Sequence, residues 1–391
     1  MKKEDKTGQG NPTMVERLVK TSYEMAMNEP TPKDVVYLSA PLCHVFFPYS
    51  NPGDDVDFWQ RSHGPFHLSI EATRVINPQT HKPERFGLPY GPKPRLMLGL
   101  LNTVMFKQKS PEIILGNSLT DFVGEHLGLS TDGRTIREVK NQLARLSTSL
   151  ITATCEVEDN HSYNDSMKLI RGIDIWWTKN AHQRHLWGNY LRFSDDYFHD
   201  IMEHGVPTDQ RALSALSGNA LALDLYAFLA HRLHVIPFER PLQISWQAMK
   251  DQFGQSYGRM DNFKNIFRRT LDMVRVVYRD AKIEEVVNKG FLLYNSKPPI
   301  PPNTSIVVPA GVPLPNSIEP FSELYFKHES HVMSERKKDE IERVIEGKWD
   351  GQRNAKYKEV KKRKPRVASL EAKIAKLYQG ELSNFDDEEL K

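Results

Sequence analysis

The sequence predicts an α+β fold, mainly helical, built from two helix-turn-helix units that each carry a small β-sheet. Three observations predict it. Residues 118–128 and about 134–150 are amphipathic stretches separated at Gly128 by the turn Leu-Ser-Thr-Asp-Gly. Residues 245–253, the turn GQSYGR and the long stretch 261–279 repeat that arrangement. Segments of strand character follow in both places: 150–158, 167–178 and 188–194 after the first pair, and 283–295 after the second. Helix, turn, helix, then strands is the order of a winged helix, so the expected architecture is tandem winged-helix domains.

Taken along the chain, residues 1–30 are expected to be disordered or loosely helical. The first winged-helix domain spans 31–205 and begins with a β segment. DVVYLSAPLCHVFF (34–47) and FHLSIEATRVI (66–76) are rich in β-branched and aromatic residues, with the turn-rich PYSNPGDD between them. PRLMLGLLNTVMFK (94–107) reads as a helix with Pro94 in its first turn. A short helix is expected around 195–204. The second winged-helix domain spans 206–297. There NALALDLYAFLAHRLH (219–234) has an apolar stripe wide enough for a buried helix. LQIS (242–245) is a short strand, and 283–295 a hairpin turning near Asn288–Gly290. Seven prolines within 298–315 mark 298–320 as a semi-rigid linker. Residues 321–391 form a charged helical tail, in which KYKEVKKRKPR (356–366) carries seven basic residues against one acid and FDDEE lies near the end.

The 391 residues are 39% hydrophobic and 26% charged, values ordinary for a globular protein. A net charge of +3 does not by itself announce nucleic acid, so the distribution of charge must decide. Two distant cysteines, Cys43 and Cys155, offer neither a disulfide framework nor a CxxC metal knuckle, and a reducing, cytoplasmic setting is expected. Residues 1–15 are polar with no apolar core after them, which predicts no secretory signal. No run of 18 apolar residues exists, which predicts no membrane partner. Catalytic motifs fail too. There is no GxxxxGK[ST], GxSxG, GxGxxG or HExxH, and HDIMEH (199–204) misses the HxxEH spacing by one residue. His161, His182 and His185 show no ligand spacing. No catalytic residue, no metal and no cofactor are expected.

The charge is distributed along two helices. At 100° per residue, Ile136, Val139, Leu143, Leu146 and Leu150 share one side of the stretch 134–150. Arg134, Arg137, Asn141 and Arg145 fall opposite. A helix that lies in the major groove needs this division: one stripe anchors it, and the other offers Arg for guanine edges or phosphates and Asn for adenine. Ser130 and Thr131, with Asp132, stand at the helix start, where they cap it and reach phosphate. In 261–279 the core side is Phe263, Ile266, Phe267, Thr270, Val274 and Val277. Lys264, Arg268 and Arg275 form a basic stripe beside it, and Tyr257 and Arg259 sit in the preceding turn. Asp261 and Asp272 flank that stripe. Arginines opposite an apolar stripe also describe any solvated surface helix; the recurrence in two helix-turn-helix units favours DNA.

GLPYGPKPRLMLGLL (87–101) resembles the LPYG…PRLxL signature of plasmid-encoded RepA-type replication initiators. PLCHVFFPYSNP and FHLSIEA before it, and LRFSDDYFHDI (191–201), NALALDLYAFLAHRL (219–233) and LQISWQAMKDQFG (242–254) after it, continue the resemblance over roughly 35–300. The resemblance implies a replication initiator that binds repeated double-stranded sites in its own plasmid origin. It further implies local melting of AT-rich DNA and recruitment of host replication proteins such as the initiator and helicase. It supplies no catalytic residue and supports 134–145 and 256–268 as DNA-facing. Relatives that repress their own promoter as dimers suggest a homodimer contact in 34–76, where strand edges invite pairing. Leu88, Pro89, Tyr90 and Gly91 read as structural, with Gly91 needing positive φ. The competing readings are a winged-helix transcriptional repressor without origin function, a metal-dependent nickase and a pure interaction protein. If the tail is a phosphate-contacting arm, deleting 322–391 weakens binding to all duplexes about equally and flattens its salt dependence. An unchanged salt slope in that truncated chain would mean the tail does not touch phosphate.

Overall fold

The computed structural model describes residues 13–76, 81–114, 123–124, 130–155, 167–173 and 190–302. The chain divides into two units, Met1–Phe326 and Lys327–Lys391, and every described residue belongs to the first. Apart from residues 123–124, the helix expected over 118–128 lies outside the described residues, as do strand residues 156–158, 174–178 and 188–189, the linker beyond 302 and the charged tail. What is described is α+β, with eight α-helices and several small antiparallel sheets among the described residues.

The chain enters through α1 (Met14–Met27), set by a reciprocal cap: the Glu16 backbone N–H donates to Thr13 Oγ1 at 3.3 Å and the Thr13 N–H to Glu16 Oε2 at 2.6 Å. The helix packs on α5 (Gln210–Leu216) and α8 (Met260–Val277), and Arg279 donates to Ser22 Oγ at 2.8 Å. The segment expected to be one long strand becomes β1 (Val35–Leu38) only. Pro41 then opens a 3-10 turn to Cys43, and Val45, Phe46 and Phe47 enter the core without strand geometry. β1 pairs with β11 (Val206–Asp209), so segments on either side of residue 206 share a sheet. A four-stranded sheet runs β2 (Phe58–His63), β3 (Phe66–Ala72), β7 (Ser149–Cys155), β8 (Met167–Lys168). In β3, Phe66, Leu68, Ile70 and Ala72 face the core at the two-residue period of a pleated strand. The pair β4 (Arg74–Ile76) and β5 (Pro83–Arg85) leads to α2 (Pro92–Gln108). β6 (Glu112–Ile114), β9 (Ile170–Ile173) and β10 (Tyr190–Phe193) form a third sheet around central β10. α3 (Gly133–Thr148) precedes β7, and α4 (Asp195–His204) follows β10. α6 (Ala220–Arg232) is buried along its whole length. After it come β12 (Leu242–Ser245), α7 (Trp246–Phe253), α8, β13 (Ile283–Val286) and β14 (Gly290–Leu293), with sheet order β12-β14-β13.

A buried ion pair ties these parts together. Arg95 on α2 donates through Nε to Asp224 Oδ1 at 2.5 Å and through Nη2 to Oδ2 at 2.7 Å, so α2 is forked onto α6. Its remaining donors reach the Gly91 carbonyl at 2.6 Å and the Phe47 carbonyl at 2.7 Å. Gly91 caps α2 at φ 76, the left-handed region expected of it, and its N–H donates to the Pro48 carbonyl at 2.9 Å. Burial pushes the Asp224 carboxyl up, and the Arg95 charge opposes that shift. Removing one partner strands the other charge in the core. Asp224→Ala is therefore expected to lose about 3–5 kcal/mol in urea denaturation, and a double variant with Arg95→Met less than the sum of the two singles. Additive losses would contradict the coupling.

A second buried polar contact joins the 41–47 segment to α6. His44 Nε2 and His231 Nδ1 lie 2.9 Å apart, and His44 stacks on Phe66 at 4.5 Å between ring centroids. Burial holds both imidazoles neutral, His231 down to about 3 and His44 well below its ordinary value. The unfolded chain takes up protons at these sites near pH 6.5. The folded chain does not, so this contribution is complete above that pH and is lost as the pH falls. Stability should decline from pH 6.5 to 5 with a slope approaching about 1.4 kcal/mol per pH unit for each histidine. His231→Gln should flatten the slope, and a flat wild-type profile over this window would contradict the buried neutral pair.

Candidate nucleic-acid interface

The first candidate helix is set by its cap. Asp132 Oδ1 accepts from the backbone N–H groups of Arg134 and Thr135, both at 2.9 Å, and Oδ2 from Thr135 Oγ1 at 2.9 Å. Hydrogen bonds from Ser130 and from Thr135 hold this carboxyl well below the usual range. Ser130, Thr131, Arg134, Arg137 and Asn141 are exposed, as is Lys140, which the periodicity did not single out. Arg134 spends Nε on Glu138 at 3.0 Å, and Lys93 reaches the other Glu138 oxygen; the two cations, Lys93 first, hold that carboxyl low. The side chain of Arg137 makes no ion pair or hydrogen bond among the described residues.

Arg145 corrects the helical-wheel expectation. It was placed on the outward face, yet its side chain is 8% exposed. Nη1 donates to the Leu88 carbonyl at 3.2 Å, Nη2 to Asp54 Oδ1 at 3.2 Å and Nε to Asn141 Oδ1 at 2.7 Å, while the guanidinium lies over the Tyr90 ring, 5.2 Å from its centroid. One turn earlier in sequence, Gln142 Oε1 accepts from the Tyr90 N–H at 3.0 Å. The LPYG loop thus folds over the C-terminal half of α3 and consumes that arginine. Only the N-terminal half of the polar face, from Ser130 to Asn141, stays open.

Ser245 caps α7 by accepting from the Ala248 N–H at 3.1 Å. Gly254 ends α7, and a Cβ there would meet Phe263 Cδ2 at 2.6 Å, so glycine lets the turn pass close over α8. Phe263, Phe267 and Phe291 surround Trp246, with ring centroids 6.3, 5.8 and 4.7 Å away. The β13–β14 turn contains Asn288 at φ 61, where the sequence placed it. Of the expected residues, Arg259 is exposed, and Asp261 approaches it at 3.7 Å. Tyr257 is half-buried, its ring 5.9 Å from Phe263. Lys264 lies half-buried over Trp246 at 5.3 Å. Arg275 donates to the Ile283 carbonyl at 2.5 Å. Arg268 remains 43% exposed but is forked onto Glu285 of β13. The outward residues of α8 that the sequence reading passed over are Asn262, Asn265 and Arg269. Periodicity identifies the core face but not which flank a hairpin covers; here the hairpin takes the 264–268–275 flank.

Among the described residues, no group of three or more His, Cys, Asp or Glu side chains is arranged to hold a metal ion, and no helix is long and apolar enough to cross a membrane.

Residues 88–248 match the family model described as plasmid encoded RepA protein. No curated protein matches the chain. Among solved structures, the chain is similar to a crystal structure of selenomethionine derivatives of domains 2 and 3 of RctB, at 9% identity and TM-score 0.39 over 66% of this chain and 99% of that one. A second crystal structure, of RctB domains 2-3, aligns at 8% identity and TM-score 0.38 over 63% and 92%. The matched stretch includes Arg95, Asp224 and the whole of α3, so over residues 88–248 the chain is similar to the plasmid-encoded RepA family.

Proposed function

We propose that this protein is a plasmid replication initiator that binds repeated double-stranded sites at its own origin through two winged helices. The observation that carries the reading is α8. It is the second helix of a helix-turn-helix with a hairpin attached, its inner face is locked by aromatic packing, and its outer face presents unpaired polar side chains. A major-groove helix needs that combination. The cap and exposed arginines at the start of α3 support a second contact of the same kind. Ser130, Thr131, Arg134, Arg137, Asn141 and Arg259 are the contacts proposed from both the sequence and their exposure.

The reading assigns the protein no catalytic step, metal or cofactor. Two helices in successive major grooves would clamp and bend a repeat of about 20 base pairs, roughly two helical turns. Bending, with negative supercoiling, supplies the few kcal/mol that open a short AT-rich tract. Host initiator and helicase would then enter the opened DNA. Dimerisation through the 34–76 segment belongs to the same proposal: β2 is an edge strand of its sheet, with Phe58 exposed.

The test is fluorescence-anisotropy titration of the full chain against the repeats upstream of its own gene and against scrambled duplex, at two salt concentrations. A preference of about a thousandfold or more for the repeats is expected. Arg137→Ala should lower repeat affinity by roughly 5- to 150-fold without changing the melting temperature. Supplying the chain in trans should support replication of a plasmid that carries only the origin. Equal, weak and salt-sensitive binding to both duplexes would overturn the reading, and tight repeat binding without replication would leave a repressor.

A further inference from the structure

The basic residues of α8 divide into two sets with different chemistry. Arg268 donates from Nε to Glu285 Oε1 at 3.1 Å and Oε2 at 3.0 Å, and from Nη2 to Oε1 at 2.7 Å. Its guanidinium lies over Trp246 at 5.0 Å. The Nε–Nη2 edge, one of the forks an arginine can offer to guanine O6 and N7, is therefore engaged, and the side chain is pinned toward the hairpin. Arg275 reaches the same strand through the Ile283 carbonyl, and Lys264 lies over the same Trp246 ring. This flank of the helix holds the hairpin in place.

About a third of a turn away, Asn262, Asn265 and Arg269 follow the i, i+3, i+7 spacing of one helix face. All three are exposed. Their side chains make no hydrogen bond or ion pair among the described residues. They lie opposite buried Phe263, Phe267, Leu271 and Val274, so they point away from the protein within the first ten residues of α8, and the N-terminal part of such a helix meets base edges in a helix-turn-helix. Of the flanking acids, Asp261 lies in the first turn beside Arg259, and Asp272 is half-buried nearly a turn beyond Arg269. The chemistry of the free set is specific. Asn pairs bidentately with adenine N6 and N7, and Arg with guanine O6 and N7.

We propose that Asn262, Asn265 and Arg269 are the sequence-reading side chains of α8, selecting adenine and guanine in the major groove, and that Arg268 is a positioning residue that clamps the hairpin to the helix. This rests on the reading of the protein as a sequence-specific DNA binder.

The experiment is site selection from a pool of randomised duplexes with the full chain, followed by titration of the selected consensus and of scrambled duplex. Wild type should return a consensus. Asn262→Ala, Asn265→Ala and Arg269→Ala should each relax it at one or two base pairs and lower consensus affinity by about 5- to 150-fold, with scrambled binding and melting temperature nearly unchanged. Arg268→Ala should weaken consensus binding without relaxing any one position, and Arg268→Glu with Glu285→Arg should recover it with the consensus intact. An unaltered consensus from the Asn262, Asn265 and Arg269 variants, or loss of one base preference in Arg268→Ala, would overturn the assignment while leaving DNA binding in place. If wild type selects no consensus, this assignment and the reading beneath it fail together.

Discussion

The fork between Arg95 and Asp224 is the constraint on which the rest of the molecule depends. A guanidinium and a carboxylate buried this deeply persist only when every donor and acceptor is met, and here the meeting partners come from separate parts of the chain. Phe47 and Gly91 supply carbonyls, α2 carries the arginine and α6 the aspartate. The segments PLCHVFFPYSNP, GLPYGPKPRLMLGLL and NALALDLYAFLAHRL are thus three sides of one buried knot. Gly91 starts α2 at the required angle, the loop before it covers α3 through Leu88 and Tyr90, and α6 presents its other faces to α8. The placement of both candidate helices follows from this knot rather than from their own sequences.

Much of the framework was legible in the sequence because it rests on local signals. The period of 219–234 gave a buried helix, realised as Ala220–Arg232, and Asn288–Gly290 gave the hairpin turn. The positive φ of Gly91 followed from its place before a proline-started helix. What was not legible is tertiary. The 34–47 stretch has strand composition, yet Pro41 and the His44–His231 contact draw its second half into a packed loop. A helical wheel placed Arg145 outward, and a loop more than fifty residues earlier in the sequence buries it. On α8 the wheel separated core from surface correctly, but only the folded hairpin distinguishes Arg268, held by Glu285, from its exposed neighbour Arg269.

These differences alter the functional picture in a definite direction. A basic stripe counted along the sequence overstates the charge available to phosphate, since Arg145, Arg268 and Arg275 are all committed to the protein. The exposed surface is smaller and mixed: Arg134, Arg137 and Lys140 on α3, where Asn141 spends Oδ1 on Arg145, and Asn262, Asn265 and Arg269 on α8. Under the proposed function, such a surface would add base-edge contacts to ionic attraction, which suits selection of a particular repeat over bulk DNA.

The central claim is that both helices face the same duplex. Hydrogen–deuterium exchange of the full chain, with and without a duplex carrying its own repeats, tests it most directly. The account predicts added protection confined to 130–141 and 259–269 within the described fold. Protection at only one of these segments would contradict it, as would protection that spares both while the protein is fully bound.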